Sequence, residues 1–553
     1  MSPAKRFFSL LKLDKKDVSQ IFFYAIIAGL ISLSLPLGIQ AIVNFLQSGR
    51  VSVSWIVLVI GVVTGVAFVG ILSLMQLRIT ENLQQKIFVR SSFEFAYRLP
   101  KIKFEEFYQG LYPPEIANRF FDTLTIQKGV SKLLLDYSSA LLQIGFGIIL
   151  LSLYHPFFIL FGLLLLVLLY LIYKFSYTGG LETSLSESKY KYRAAEWLQE
   201  IARNKHSFRK SLNFDYALQK NNTLTNNYLD YREKHFNIIK RQYGQLIIFK
   251  VIITAGLLLI GGYLVLNQQM NIGQFVASEI IILLVINSVE KIILGLESFY
   301  DVLTAVEKIG KVTDMEIEEG MDTEQKQLFD RITLEADQLS VRFPDSNRDM
   351  LKDISMKIEQ GEKIILTGGN GAGKTTLIRT LSGILKPTSG ALFINDDTFR
   401  KIDINQYRSQ IGTIIQGESP FEGTILENIT FNDPAISDQD IRWALDAVQL
   451  SSYIKTLPDG LDTKILPEGK QMSSSNSQKI LLARSIIRKP SILLLEDPTD
   501  RLDPETADAI ISFICAEHHK WTVIVSSAHP TWKLKSSRFI TMENGKIISD
   551  LKK

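Results

Sequence analysis

Cysteine is nearly absent from this chain: its 553 residues include one, Cys515. A single thiol can form neither an intrachain disulfide framework nor a cysteine-rich zinc site, and it removes a cysteine-peptidase reading of the N-terminal region. The chain's chemistry is expected to face a reducing cytosol. A large charge of one sign is missing as well. Lys and Arg number 61 against 57 Asp and Glu, a formal +4, which is no electrostatic footprint for DNA or RNA and argues against a nucleic-acid partner. The length excludes a single ordinary domain, and a hydrophobic fraction of 46% excludes disorder.

The apolar residues are distributed unevenly. Nearly all the long apolar runs precede Glu297. A bilayer core requires about 20 apolar residues in a helix, and six segments qualify: 21–46, 55–77, 138–153, 157–173, 246–266 and 272–294. The third and fourth are joined by a tight Tyr154-His155-Pro156 turn, with Pro156 at a helix start, where its missing N–H costs nothing. The short loops between spans hold one basic residue, Arg50. The two long connections, 78–137 and 174–245, hold many, among them Arg78, Lys86, Arg90, Arg98, Lys101, Lys103, Arg119, Lys128 and Lys132. Basic residues near span ends stay in the cytoplasm, so both long connections and both termini are expected there. Helical periodicity in these connections, as at Leu83, Ile87, Arg90, Phe93 and Tyr97, predicts membrane helices continued into the cytosol.

The basic, apolar opening at 4–13 is not a signal peptide, because Lys15, Lys16 and Asp17 interrupt it and no small-residue cleavage site follows. It predicts an amphipathic helix on the inner membrane surface. The expected layout is therefore an N-terminal helix at 1–20, a six-helix membrane domain at 21–305, an acidic linker at 306–331 and an α/β domain at 332–553.

In that last domain, short β-type runs alternate with helical ones. The strand Lys363-Ile364-Ile365-Leu366-Thr367 leads into Gly368-Gly369-Asn370-Gly371-Ala372-Gly373-Lys374-Thr375-Thr376 and then a helix. This is G-x-x-x-x-G-K-[ST] in strand–loop–helix context. Glycines let backbone N–H groups curl around phosphate oxygens and the helix N-terminus adds its positive dipole end. Lys374 is placed to reach the β/γ-phosphates, and Thr375 to ligate Mg²⁺. A second buried strand ends in Glu496 and Asp497, the acid pair a P-loop enzyme needs, one for Mg²⁺ and one to polarise the attacking water. ATP and Mg²⁺ are the cofactors expected.

Six spans with long basic connections, followed by a P-loop domain, resemble an ATP-binding cassette (ABC) exporter half-transporter of the type I exporter fold, along essentially the whole chain. The resemblance implies further roles, motif by motif. Phe343, before Pro344, stands where the family stacks an aromatic ring on adenine. Gln416 matches the glutamine that touches Mg²⁺ and senses the membrane domain. His529, after the strand 522–525, matches the histidine that contacts the γ-phosphate. The signature Leu-Ser-Gly-Gly-Gln falls on Met472-Ser473-Ser474-Ser475-Asn476, so Ser473, Ser474 and Ser475 are the residues expected to bind the γ-phosphate held by a second, head-to-tail cassette.

Two of these motifs depart from the family. Both signature glycines are serines, which adds a Cβ where the backbone approaches phosphate most closely. The acid pair is exchanged: Glu496 stands where the metal-associated Asp belongs, and Asp497 where the catalytic Glu belongs. A base shorter by one methylene sits about 1.5 Å back, and misplacement by about 1 Å can cost around a hundredfold in rate. Slow hydrolysis is expected. No pairing of protomers leaves an unaltered site, whether with a second copy or with another half-transporter.

In the last span Glu279, Glu290 and Glu297 are 11 and 7 residues apart, on one helical stripe. Glu290 and Lys250 lie roughly 27 Å and 24 Å from the outer ends of their spans, a match in depth that allows an inner-boundary ion pair and leaves Glu297 solvated. Glu279, about 10 Å inside, suggests a polar translocation path together with Glu290. The reading is a dimeric ATP-driven exporter in the bacterial inner membrane. The alternative is an ATP-binding regulatory or scaffold subunit with little hydrolysis. Residues 33–40 resemble bacterial peptide or protein exporters of type I secretion, which would bring in a periplasmic adaptor.

Overall fold

The described residues of the computed structural model are 1–47, 53–109, 112–211, 213, 215–318, 331–343 and 348–553. Arg50, Pro344 and linker residues 319–330 lie outside them. The chain divides into two units, one of Met1–Pro100 with Tyr112–Met315 and the other of Lys101–Leu111 with Glu316–Lys553.

The first unit is helical. Among the described residues five stretches are long and apolar enough to cross a membrane: Lys15–Gln47, Val53–Lys101, Pro113–Tyr154, Phe157–Arg203 and Asp215–Leu266. They contain the first five predicted spans. The sixth predicted segment opens the helix Ile272–Thr313, whose Ala277, Ile281, Val285 and Val289 are buried, and which packs mainly on the helix Asp122–Tyr154. At 1.5 Å per residue the 47-residue helix Phe157–Arg203 is about 70 Å long, more than twice a hydrocarbon core of about 30 Å. Helical continuation beyond the apolar segments is thus built in.

Local breaks have local causes. The first span is two helices, Lys15–Ser32 and Ser34–Gln47. Pro36 has no N–H to give the carbonyl of Ser32, so the ladder opens at Leu33. In the fifth, five residues at Leu257–Gly261 adopt a π-helical turn. The Tyr154–Pro156 turn forms as expected, with His155 extended between the helix ending at Tyr154 and the one starting at Phe157.

The N-terminal helix, Pro3–Leu13, ends one residue before Asp14, and a new helix begins at Lys15. Its apolar face meets protein: Phe7 is buried edge-on against Phe299 at 5.8 Å, and Arg6 pairs with Glu307 and Asp314. The helix Ile272–Thr313 continues past 306, so the first part of the expected linker is helical.

Lys250 and Glu290 do form an ion pair, and the hydroxyl of Tyr243 donates to Glu290 at 3.4 Å. Glu297 keeps 39% of its side chain exposed, in line with the expected solvation, and also accepts from Arg232 at 3.3 Å. Both partners come from the helix Asp215–Gly256, toward which the glutamate stripe therefore faces. Glu279 makes no hydrogen bond or ion pair among the described residues.

In the second unit a six-stranded sheet runs Lys546–Lys552, Arg538–Glu543, Lys363–Thr367, Thr522–Ser526, Ile492–Glu496, Ile411–Ile414. The first pair is antiparallel and the rest parallel. Every residue of Ile492–Glu496 and Thr522–Ser526 is buried, as expected of strands covered on both faces. A four-stranded antiparallel sheet, Asp349–Ile358, Leu334–Arg342, Ser389–Ile394 and Asp397–Thr398, adds a second layer. Residues 101–109 belong to this unit: Ile102 forms a bridge with Ile317, and the Arg379 guanidinium lies 5.4 Å from the Phe104 ring.

Candidate nucleotide site

Parallel strands bring their carboxyl ends to one edge, and loops leaving that edge form the usual ligand crevice of an open α/β sheet. Here that edge carries Thr367, Ser526, Glu496 and Ile414, which lead directly into Gly368, Ser527, Asp497 and Ile415. The P-loop, the acid pair, Gln416 and His529 therefore share one edge although 161 residues of sequence separate Gly368 from His529.

The P-loop requires its glycines. Gly368 sits at φ +143, where a Cβ would stand 2.2 Å from the Met542 carbonyl oxygen, and Gly373 sits at φ +100, where it would stand 2.9 Å from that of Met350. No other residue fits either position. Gly373 caps the helix Lys374–Leu381, whose free N–H groups point back into the loop. Lys374 Nζ donates to the carbonyls of Gly368 at 2.7 Å and Gly369 at 3.0 Å, which holds the ammonium over the cradle.

Glu496 is buried, and both its carboxylate oxygens are engaged. Thr375 Oγ1 donates to one, and the backbone N–H of Gln416 to the other at 3.0 Å. The longer Glu in place of the family Asp thus reaches the P-loop hydroxyl directly. Thr375, Glu496 and the exposed amide of Gln416 present hard oxygen donors. No group of three or more His, Cys, Asp or Glu among the described residues is placed to hold a metal. One carboxylate and one hydroxyl, completed by phosphates and water, is the donor set that suits Mg²⁺.

Asp497 has left the strand. Its φ is +42, a left-handed conformation that Asp tolerates better than most residues, and its N–H donates to the Ser526 carbonyl at 2.8 Å. This turn moves the carboxylate out of the sheet line. Desolvation raises its pKa above the ordinary Asp value, the charges of Asp500 and Glu496 add to the rise, and Lys374 opposes it. His529 caps the helix Pro530–Lys535, its Nδ1 accepting from the Thr531 N–H at 3.4 Å. Phe343 is partly buried against the core between the two sheets.

The altered signature opens the helix Ser474–Ile486. Ser473 is its N-cap, with Oγ accepting from the Asn476 N–H at 3.2 Å, while Ser473 and Ser474 are exposed. The hydroxyl of Ser473 is partly committed to its own helix. The remaining first-turn N–H groups are free for an anion. Sequence reading missed Gln478, which is buried and donates through Nε2 to the Pro498 carbonyl at 3.0 Å, tying the signature helix to the acid loop. Only its spacing after the signature could have suggested it.

Residues 351–500 match the family model described as ABC transporter. Over 98% of this chain and 92% of its partner in the alignment, the sequence is 25% identical to a multidrug resistance ABC transporter ATP-binding and permease protein of Lactococcus lactis. It is 32% identical over 263 residues, 45% of this chain and 36% of the relative, to a colicin V secretion/processing ATP-binding protein of Escherichia coli. Two further relatives, matched at 36% and 32% identity, are covered over only 30% and 42% of their length. The solved structure of a bacterial Atm1-family ABC exporter with ATP bound superposes with a TM-score of 0.82 at 18% identity, over 97% of this chain and 95% of that one.

Proposed function

From a chain that carries an ABC-transporter cassette and the fold of an ABC exporter half-transporter, we propose one half of a dimeric exporter driven by ATP. The six spans of the reading, 21–46 to 272–294, lie in the bacterial inner membrane with both termini cytoplasmic. The observation that carries the proposal is the convergence of Lys374, Thr375, Glu496 and Asp497 on one sheet edge in a chain whose other unit has helices long enough to cross a bilayer.

The P-loop N–H groups bind the phosphates, and Lys374 offsets charge on the β/γ-oxygens. Thr375 and Glu496, with Gln416, would hold Mg²⁺, which when bound neutralises phosphate charge. Asp497 accepts a proton from water as its oxygen attacks the γ-phosphorus; the bond to the bridging oxygen breaks, and ADP leaves with phosphate. Ser473, Ser474 and Ser475 reach the γ-phosphate held by the second cassette, whereas His529 contacts the γ-phosphate held by its own P-loop, and Phe343 stacks on adenine. Glu279, which is unpaired among the described residues, belongs to the translocation path, with Glu290 held at its inner end by Lys250.

The colicin V secretion relative and residues 33–40 favour a peptide or protein substrate, and with it a periplasmic adaptor. A second reading, an ATP-binding regulatory subunit with little turnover, is favoured by Asp497 and by the serines at 474 and 475.

One native cysteine makes the dimer directly testable. In a Cys515→Ser background, Gly369→Cys in one protomer and Ser474→Cys in the other should form a disulfide when ATP is added. The readout is a doubled mass on a non-reducing gel. Equal cross-linking with and without ATP contradicts the head-to-tail dimer.

The pH profile tests the base. Asp497 acts only when deprotonated, and its pKa is raised, so kcat should fall with decreasing pH at values above an ordinary Asp, about 3.9. Removing a like charge with Asp500→Asn should move that acid limb to lower pH. An unmoved limb assigns it to another group.

A further inference from the structure

Four helices of the first unit line a polar cavity of about 170 Å³. Its walls include Asp122 and Thr125 from Asp122–Tyr154, Ser184 and Ser188 from Phe157–Arg203, and Asp301 and Thr304 from Ile272–Thr313. Arg232, from Asp215–Gly256, completes it. At 1.5 Å per residue, Asp122 lies about 24 Å before the apolar segment that starts at 138, and Asp301 about 10 Å beyond the one ending at 294. The cavity is therefore in the long helical extensions, outside the spans.

Its lining holds the acids Asp122, Glu187 and Asp301 and the bases Lys191 and Arg232, while Lys308 and Arg119 act on Asp122 from outside the lining. Arg232 divides its guanidinium between Glu187 at 3.4 Å and Glu297 at 3.3 Å. Lys191 is 56% exposed, and its Nζ stands 3.9 Å from Asp122 Oδ1, beyond hydrogen-bond reach. Asp122 is itself only 5% exposed, and its Oδ2 has no hydrogen-bond partner. The Ser188 hydroxyl, 7% exposed, is also unpartnered. Ser184 and Thr304 bond each other at 2.8 Å, which leaves lone pairs for another donor or a cation. A buried carboxylate oxygen without a partner is costly, and the usual remedy is a bound group that supplies positive charge.

We propose that this cavity is a binding site for a small monovalent cation, an alkali ion or a primary ammonium, held by Asp122, Ser188 and the Ser184–Thr304 hydroxyls. Several observations select that chemistry. The free atoms are hard oxygens, one carboxylate with neutral hydroxyls, where a divalent site would draw on several carboxylates. No set of three acidic, His or Cys side chains is grouped for a metal among the described residues. Burial raises the pKa of Asp122 against the opposing Tyr192 hydrogen bond and the charges of Lys191, Lys308 and Arg119, and burial with the charges of Glu297 and Glu187 pushes Asp301 up to about 6. Because three helices contribute donors, an occupied site would tie them together at a level between the membrane and the helix tips.

The test is thermal unfolding of the full chain in lipid nanodiscs, at constant ionic strength, in potassium, sodium, methylammonium or bulky N-methylglucamine chloride. A site filled to about ten times its Kd should raise the midpoint by about 2 °C over N-methylglucamine. A rise in potassium or sodium assigns an alkali ion, and a rise confined to methylammonium assigns an ammonium ligand. Asp122→Asn should abolish the rise. Should that variant fail to fold, Ser188→Ala, which removes one donor, should shrink it. Equal midpoints in all four salts, or a rise that survives in the folded Asp122→Asn protein or is undiminished in Ser188→Ala, would overturn the proposal. The readout does not depend on ATP turnover, so it is independent of the exporter reading.

Discussion

Asp497→Glu should raise the ATPase rate of the lipid-embedded protein by about tenfold to a hundredfold, a gain of function from one methylene. Asp497 already has the turn that lifts it out of the sheet and a pKa moved toward that of a useful base. What it lacks is reach of about 1.5 Å. Restoring it should bring the carboxylate onto the water, and displacement of about 1 Å is worth around a hundredfold. The change should appear in kcat with KM for ATP little altered, because the role proposed for the residue is on the attacking water and not on the bound phosphates. A small loss of thermal stability should accompany it, since Glu fits the left-handed position at φ +42 less readily than Asp. An unchanged kcat would mean that the altered signature, and not the short base, limits turnover.

Lys374→Ala should reduce ATP turnover to the level of a protein-free control and weaken nucleotide binding. Lys374 is the cation held over the cradle, by two carbonyl contacts at 2.7 Å and 3.0 Å. Its loss removes the side-chain cation nearest the cradle and leaves the N–H groups of the loop and the helix start to offset phosphate charge there. The measurement is fluorescence binding of an ATP analogue alongside phosphate release. Binding as tight as in the unaltered chain would show that the loop engages phosphate without this residue.

The P-loop was legible because local chemistry determines it: a buried strand, glycines at left-handed positions and a helix start lie within a few residues. The strand ending at Glu496 was legible for the same reason. Hydropathy placed the apolar segments, and periodicity predicted that the helices outrun the bilayer. Partners across helices were harder to read. Depth alone matched Lys250 to Glu290, whereas Arg232 and Glu297 meet from helices whose facing surfaces periodicity does not pair. The break at Leu33 follows from Pro36, yet hydropathy treats the span as continuous. The left-handed turn at Asp497 is set by the next strand, through the Ser526 carbonyl, so no local pattern announces it. That residues 101–109 belong with the cassette is likewise a tertiary fact, invisible in a helical repeat.

The most direct test of the account is the steady-state ATPase rate of the purified chain in lipid, set against its Lys374→Ala counterpart. A slow rate clearly above that background, and raised by Asp497→Glu, is what the site predicts. A rate equal to the Lys374→Ala background, with Asp497→Glu unable to lift it, would contradict the hydrolysing exporter and leave an ATP-binding subunit.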